Sequence, residues 1–156
     1  MKEDYLEAVS LIERLHRRYL EVIKAELDAM KVDDINNVQA LVLYNLGNDQ
    51  ISIGELTTKG CYLGSNVSYN LKKMLQSGYV EQMTSKNDRR SYIIKLTSKG
   101  MSLCRKLDTA LDRHVSSLKD QGIGDMGDFV KTLQKLELFW SNMSIPRTRF
   151  NSSRGR

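Results

Sequence analysis

The sequence predicts a mainly α-helical fold with one small β-hairpin, and two observations lead to that class. Apolar residues recur at helical spacing through most of the 156 residues, and the chain contains a single proline, Pro146. Between residues 79 and 96 the spacing falls to two, which is typical of strands. With 40% apolar and 28% charged residues, the chain can bury a core beneath a hydrated surface, which excludes a long disordered chain.

Residues 4–30 predict one long amphipathic helix, whose apolar side chains form two stripes. Together the stripes cover a wider arc than one neighbouring element can bury, which favours a dimer. One stripe contains Tyr5, Val9, Ile12, Tyr19, Ile23 and Met30, and the other contains Ala8, Leu11, Leu15 and Val22. A second helix is predicted through residues 38–46, with Asn36 among its N-cap candidates and Gly47 at its end.

A helix-turn-helix unit is predicted next. Ser52 and Glu55 have the spacing of a capping box, which starts a short helix. Residues 59–64 contain two glycines and predict a turn. Ser65 can cap the following helix, which is expected to run to about Ser77. A short helix, a glycine-containing turn and a second helix are the outline of this motif.

The period of two in residues 79–83 and 92–96 predicts a pair of strands. The segment 84–90 between them is polar and rich in turn-forming residues, so the strands form a hairpin with a basic tip. Two further helices are predicted, with apolar faces through residues 103–118 and 126–143.

The charge is unevenly distributed along the chain, whose net charge is +5. Residues 1–58 contain 6 basic and 11 acidic side chains, whereas residues 59–106 contain 10 basic and 2 acidic ones. A basic block inside an otherwise acidic domain indicates a surface that binds a polyanion.

The helix that starts at Ser65 has one apolar and one polar face. At 100° per residue, the side chains predicted to point inward are Val67, Leu71, Met74 and Leu75. The side chains predicted to point outward are Ser65, Asn66, Tyr69, Lys72 and Lys73, with Ser68 at the margin. Hydroxyl, amide, phenol and ammonium groups can bind phosphate oxygens and base edges in the major groove.

The hairpin that follows this helix makes the unit a winged helix. Its tip contains Lys86, Arg89 and Arg90, which can reach the neighbouring minor groove, where the potential attracts arginine. Asp88 lies two residues before Arg90 and can pair with the guanidinium, which would orient it before DNA arrives. We therefore predict a double-stranded DNA-binding surface formed by the helix and the hairpin.

The sequence resembles the MarR-type transcriptional regulators. The run Asp88-Arg89-Arg90, followed by Ile94, Leu96-Thr97 and Gly100, is similar to the D-x-R…L-T…G wing signature of that family. Ser65-Asn66-Val67-Ser68 stands where the family has the start of its recognition helix, and the likeness covers roughly residues 4–144. Within the family, the sequence is similar to the LdtR-like branch.

The resemblance implies a homodimer with intertwined terminal helices and two winged lobes that bind a palindromic operator, as a ligand-responsive repressor or dual regulator. On this basis we expect Asn66, Ser68 and Tyr69 to contact bases, Ser65, Lys72 and Lys73 to contact phosphates, and Arg90 to enter the minor groove. The chain departs from the usual pattern at Tyr69, Asn70 and Lys72, where many members have arginine, leucine and aspartate. The base code of commoner members is therefore not transferred.

The same resemblance implies the domain limits and an effector pocket. Residues 1–145 would form one domain, with dimerisation helices at 4–30 and 98–144, the DNA lobe at 34–97 and a disordered basic tail at 146–156. A pocket for a small aromatic or phenolic effector would lie where the dimerisation helices meet the lobe. The residues that could converge there are His16, Tyr19, Leu20, Leu43, Leu46 and Leu103.

Several other classes of function are disfavoured. The sequence has no cluster of acids, bases or metal ligands, so we expect no enzyme, no cofactor and no metal site. It has neither a long apolar span nor a signal peptide, so we expect a cytoplasmic protein without a membrane partner. Cys61 and Cys104 are either inert thiols or redox sensors. A winged helix that binds another protein is the alternative function.

Overall fold

The computed structural model describes residues 1–47, 49–52, 54–56, 66–84 and 92–144. The helices are α1 (Lys2–Ala29), α2 (Asn37–Leu46), α3 (Val67–Gln76), α4 (Ser98–Asp120) and α5 (Gly127–Ser144). The strands are β1 (Ile51–Ser52), β2 (Val80–Thr84) and β3 (Tyr92–Leu96). The mainly helical fold with a small hairpin is thus confirmed, and the contacts divide the chain into two compact units, Met1–Arg113 and His114–Arg156.

The three strands form one antiparallel sheet in the order β1-β3-β2. The predicted hairpin is present, and it pairs Val80 with Leu96 and Thr84 with Tyr92. Strand β1 was not predicted, because a strand of two residues, Ile51 and Ser52, has no periodicity that can be detected. It pairs with β3 and extends the hairpin into a sheet.

Helix α2 begins with a complete capping box. The Asn36 side chain accepts a hydrogen bond from the Gln39 backbone N–H at 2.8 Å, and the Gln39 side chain accepts one from the Asn36 N–H at 3.1 Å. The Ser52 hydroxyl accepts a hydrogen bond from the Glu55 N–H at 3.1 Å, which is one of the two bonds of the predicted capping box. These caps fix where α2 and the helical residues 54–56 begin.

The core of the first unit is drawn from α1, α2, α3, the sheet and α4. Its most deeply buried side chains are Ile23, Leu43, Met74, Ile94 and Leu107. Only the C-terminal part of α1 enters this core, through Ile23 and Leu27. In the second unit, α5 buries none of its side chains.

The first turn of α4 lies against the backbone of Tyr79, in the segment that joins α3 to β2. The Thr97 N–H donates to the Tyr79 carbonyl at 3.1 Å, and a Cβ atom placed on Gly100 would lie only 2.2 Å from the same oxygen. Atoms cannot approach so closely, so only glycine allows α4 to start at this position without moving the backbone of Tyr79.

We therefore expect Gly100→Ala to lower the free energy of unfolding by about 1–3 kcal/mol, because the new methyl group meets rigid backbone. Gly124→Ala is the matched control, since nothing lies within 4 Å of a Cβ atom at that position. Urea unfolding of both variants measures the difference. Equal stability of the two variants would contradict the close packing of α4 against Tyr79.

Candidate nucleic-acid interface

Helix α3 presents the two faces that the sequence predicts. Val67, Leu71 and Met74 are buried and Leu75 is half-buried. The exposed side chains are Asn66, Ser68, Tyr69, Lys72, Lys73 and Gln76. The exposed face carries an amide, a hydroxyl, a phenol and two ammonium groups, and no acidic residue lies in α3.

Tyr69 is the largest side chain on this face and is 60% exposed. The Lys73 ammonium nitrogen lies 5.7 Å from the centroid of its ring, one helical turn away. This cation–π contact restricts the phenol without covering it, so its hydroxyl and ring edge stay accessible. Lys72 makes no such contact with the ring in the described structure, so it can act as a separate point charge.

The N-terminus of α3 is suited to anions. Asn66 occupies the N-cap position, and its side chain makes no capping hydrogen bond. First-turn N–H groups have no acceptor within a helix, and the helix dipole places partial positive charge there. The backbone N–H groups at this end of α3 are therefore suited to donate to an anion.

The C-terminal end of α3 is fixed by a hydrogen-bonded cluster around Asp34. Its carboxylate accepts from the Tyr79 hydroxyl at 2.5 Å and from the Lys99 ammonium at 2.6 Å. Lys99 also donates to the Ser77 carbonyl at 2.7 Å, and its ammonium lies 4.4 Å from the Tyr79 ring centroid. The Ser77 hydroxyl donates to the Asp34 carbonyl at 3.0 Å. The loop before α2, the end of α3 and the start of α4 are thereby joined.

The electrostatics of this cluster favour the charged carboxylate. Burial alone would raise the pKa of Asp34, but the hydrogen bonds from Lys99 and Tyr79 and the charge of Lys99 lower it below its ordinary value of 3.8. Burial, followed by the hydrogen bond to Asp34, raises the pKa of Tyr79. The carboxylate is therefore charged at neutral pH, and the cluster weakens in acid as the pH falls through the lowered pKa of Asp34.

The described part of the hairpin is its stem. Glu81 and Lys95 form a cross-strand ion pair at 3.0 Å, and Thr84 and Tyr92 are the last described pair before the tip. The tip residues Lys86, Asp88, Arg89 and Arg90 lie outside the described residues, as do Ser65 and Cys61. Their predicted roles stay predictions.

A pocket of about 350 Å³ lies between the end of α2, the end of β3 and the first turns of α4. Its lining residues are Tyr44, Gly47, Leu96, Met101, Cys104, Arg105 and Asp108. The Tyr44 hydroxyl donates to the Asp108 carboxylate at 2.8 Å. Burial raises the pKa of the Cys104 thiol to about 11, so the thiol is protonated at neutral pH and is a poor nucleophile.

None of the six residues predicted for an effector pocket lines this one. Leu43, Leu46 and Leu103 are in the core, and Leu20 is half-buried. His16 and Tyr19 are exposed on α1. Sequence spacing could place these residues on helices, but it could not show which helix faces a cavity would meet, and their role in an effector site stays a prediction.

Three residues of the interface were missed as positioning groups. The sequence offers no sign that Asp34 bonds Tyr79 and Lys99. Gln39 and Asn70 are 5% and 8% exposed, and their side chains are hydrogen-bonded to each other. The sequence does contain one sign of such a role, because Asn70 is a polar residue on the inward side of an amphipathic helix, where a buried amide needs a hydrogen-bond partner.

Within the described residues, no group of three or more His, Cys, Asp and Glu side chains could hold a metal ion. No helix in the same residues is both long and apolar enough to cross a membrane.

Comparisons with known proteins agree with the geometry. Residues 35–100 match the family model described as a winged helix DNA-binding domain. The chain is 38% identical over 140 residues to the exopolysaccharide II synthesis transcriptional activator ExpG of Rhizobium meliloti (strain 1021), covering 88% of this chain and 72% of ExpG.

Solved structures share the fold. Streptococcus pneumoniae FabT in complex with DNA is similar with a TM-score of 0.70 and 19% identity, covering 89% of this chain and 99% of that one. A crystal structure of MarR is similar with a TM-score of 0.66 and 20% identity, covering 87% and 98%. The likeness extends beyond the winged lobe into the flanking helices.

Proposed function

The chain belongs to the MarR family of winged-helix DNA-binding transcriptional regulators, and we propose that it binds a palindromic operator as a ligand-responsive homodimer. The single observation that carries the proposal is the outer face of α3, which is exposed, rich in hydrogen-bonding groups and free of acidic residues. Because ExpG is named an activator, a dual regulator is favoured over a repressor alone.

In the proposed complex, α3 lies in the major groove. Tyr69 projects from the centre of the face, where its hydroxyl or ring can meet a base edge or a thymine methyl group, and Asn66 and Ser68 supply further base contacts. Lys72 and Lys73 bind phosphates as flexible point charges, together with Ser65.

The wing would bind the neighbouring minor groove. Arg90 would enter the groove, with Lys86 and Arg89 beside it, and Asp88 would orient the guanidinium. The paired stem of β2 and β3 supports this proposal, because its last described pair, Thr84 and Tyr92, stands on either side of the predicted tip in a sheet whose inner residues join the core of the lobe.

The homodimer is proposed from the apolar surface that each unit leaves exposed. On α1 the side chains of Leu6 and Leu15 are 54% and 53% exposed. On α5 those of Leu138, Phe139 and Met143 are 64%, 54% and 69% exposed. Large exposed apolar faces mark surfaces that another chain covers, and a second copy would also supply the second half-site reader of a palindrome.

We propose the pocket beside Tyr44 as the effector site. It is concave, lined mainly by apolar side chains, and contains the cation Arg105 and the bonded pair of Tyr44 and Asp108. Such a lining suits a small aromatic acid, whose ring would contact Leu96 and Met101 while its carboxylate meets Arg105. The pocket predicted where the dimerisation helices meet the lobe, with His16 and Tyr19 among its six candidate residues, stays a prediction.

Tyr69→Ala and Lys72→Ala test the proposed DNA interface. Tyr69→Ala should reduce the difference in binding free energy between operator and random DNA by roughly 1–3 kcal/mol, because one base contact is lost. Lys72→Ala should weaken binding to both DNAs about equally. It should also reduce the salt slope, which is the steepness of the logarithm of the binding constant against the logarithm of salt concentration, by about one. Fluorescence anisotropy at several salt concentrations measures both effects, with operator selected from a random duplex pool by the wild-type chain.

The contrary pattern, with Lys72 altering specificity and Tyr69 altering only the salt slope, would contradict the proposed orientation of α3. Failure of the wild-type chain to bind any duplex would favour the alternative, a protein-binding winged helix. Lys73 is a poorer control than Lys72, since its removal also frees the Tyr69 ring.

Light scattering tests the homodimer. The wild-type chain should have a mass of about twice 17.9 kDa at micromolar concentration. Leu15→Glu should shift the mass toward the monomer, because it places a charge on an apolar face that is exposed in the single chain. The neighbouring control Glu13→Gln should remain dimeric, and a monomeric wild-type chain would refute the proposal.

Filling the pocket tests the effector site. In a panel of small phenolic acids, at least one should raise the melting temperature of the wild-type chain and change its affinity for operator. Cys104→Trp should abolish both responses while leaving operator binding intact, and Cys104→Ser should retain them. A compound that acts equally on Cys104→Trp binds elsewhere, and a panel without any effect would count against this ligand class.

A further inference from the structure

The inner side of the recognition helix contains a buried hydrogen bond between two amides. The Gln39 side chain donates from Nε2 to Asn70 Oδ1 at 2.9 Å, joining α2 to α3 across 31 positions of sequence. Among the described residues these are the two buried polar side chains, with 5% and 8% exposure. Burying an amide is unfavourable unless it is hydrogen-bonded, so the two side chains depend on each other.

Each amide is also bonded to the start of its own helix. Gln39 Oε1 accepts from the Asn36 N–H at 3.1 Å, and Asn70 Nδ2 donates to the Asn66 carbonyl at 3.1 Å. The four residues therefore form a continuous chain from the N-terminus of α2 to the N-terminus of α3. In the described residues no buried side-chain nitrogen or oxygen lacks a partner, so the buried amide atoms of this chain are all hydrogen-bonded.

We propose that Gln39 and Asn70 are positioning residues that determine sequence specificity by setting the rotation of α3, although neither contacts DNA. The inference rests on the proposed function, in which Asn66 and Tyr69 read bases. Asn70 is the direct neighbour of Tyr69 in sequence and bonds the carbonyl of Asn66, so it connects both reading residues to the scaffold.

Apolar packing alone would fix this rotation less well. Contacts among Val67, Leu71 and Met74 are not directional, and hydrophobic cores lose uniqueness before they lose stability. An amide hydrogen bond is directional in both distance and angle. A rotation that separated Gln39 from Asn70 would leave two buried amides unpaired, so that alternative packings of α3 are disfavoured.

The required accuracy is high. A rotation of about 10° moves a side-chain atom that lies about 5–6 Å from the helix axis by about 1 Å. Hydrogen bonds to base edges tolerate only a fraction of that distance. Phosphate contacts by the long side chains of Lys72 and Lys73 can adjust to the same movement, so general DNA affinity should be insensitive to it.

The experiment compares Asn70→Leu, Gln39→Leu and the double variant with the wild-type chain. For each, the melting temperature is measured together with the dissociation constants for selected operator and for random duplex of the same length. Each single variant should melt lower than the wild-type chain, because it leaves a buried amide without its partner. The double variant should regain most of that loss, since an apolar pair leaves no unpaired group.

The ratio of the affinity for operator to the affinity for random DNA distinguishes a positioning role from a purely stabilising one. In the double variant it should stay about tenfold below the wild-type ratio, roughly the effect of one misread base pair, while random DNA is bound as before. Ile23→Val, which removes one methylene from the core on α1, is the control for lost stability and should keep the full ratio. Asn36→Ala, which leaves the Gln39–Asn70 bond intact, controls for the loss of the α2 cap and should also keep it.

A double variant with the wild-type ratio, or one that loses affinity for both DNAs equally, would overturn the inference and leave the proposed function standing. A wild-type chain that does not discriminate operator from random DNA would refute the proposed function, and this inference with it.

Discussion

The rotation of α3 about its own axis is the constraint on which the lobe depends, because in the proposed complex this one helix faces the core and the major groove at the same time. Its inner side is held by Val67, Leu71 and Met74 in the core. Its N-terminal turn is tied to α2 through Asn70, and its C-terminal end is tied to the loop before α2 and to α4 through Asp34 and Lys99. Because contacts on the inner side hold both ends of α3, the polar side chains of its outer face are not needed to keep the helix in place.

Helix α2 connects the two sites that we propose. Gln39 at its N-terminal end bonds the recognition helix, and Tyr44 at its C-terminal end bonds Asp108 beside the pocket. A ligand that displaced Tyr44 from Asp108 would act on the same short helix that carries Gln39. If both proposed sites are real, α2 would be the element that couples effector binding to the position of α3, since a rigid helix can transmit a shift from one end to the other.

The sequence was sufficient to predict those features of the fold that depend on a local pattern. Helical periodicity gave the long helices, the period of two gave β2 and β3, and 100° spacing separated Leu71 from Lys72 on α3. What it missed depends on contacts distant in sequence. The partner of Asn70 is 31 positions away, and that of Asp34 in the Lys99 ion pair is 65 away, so neither bond leaves a local signature. The pocket likewise required three elements to be in place before its lining could be known.

The most direct test of the proposed placement of α3 in the major groove is methylation interference on the selected operator, since guanine N7 lies in that groove. With α3 of each protomer in that groove, methylation at N7 should block binding in two clusters about one helical turn apart. Interference confined to adenine N3 in the minor groove, or to a single cluster, would contradict the placement of α3 or the two-lobed reading of the operator.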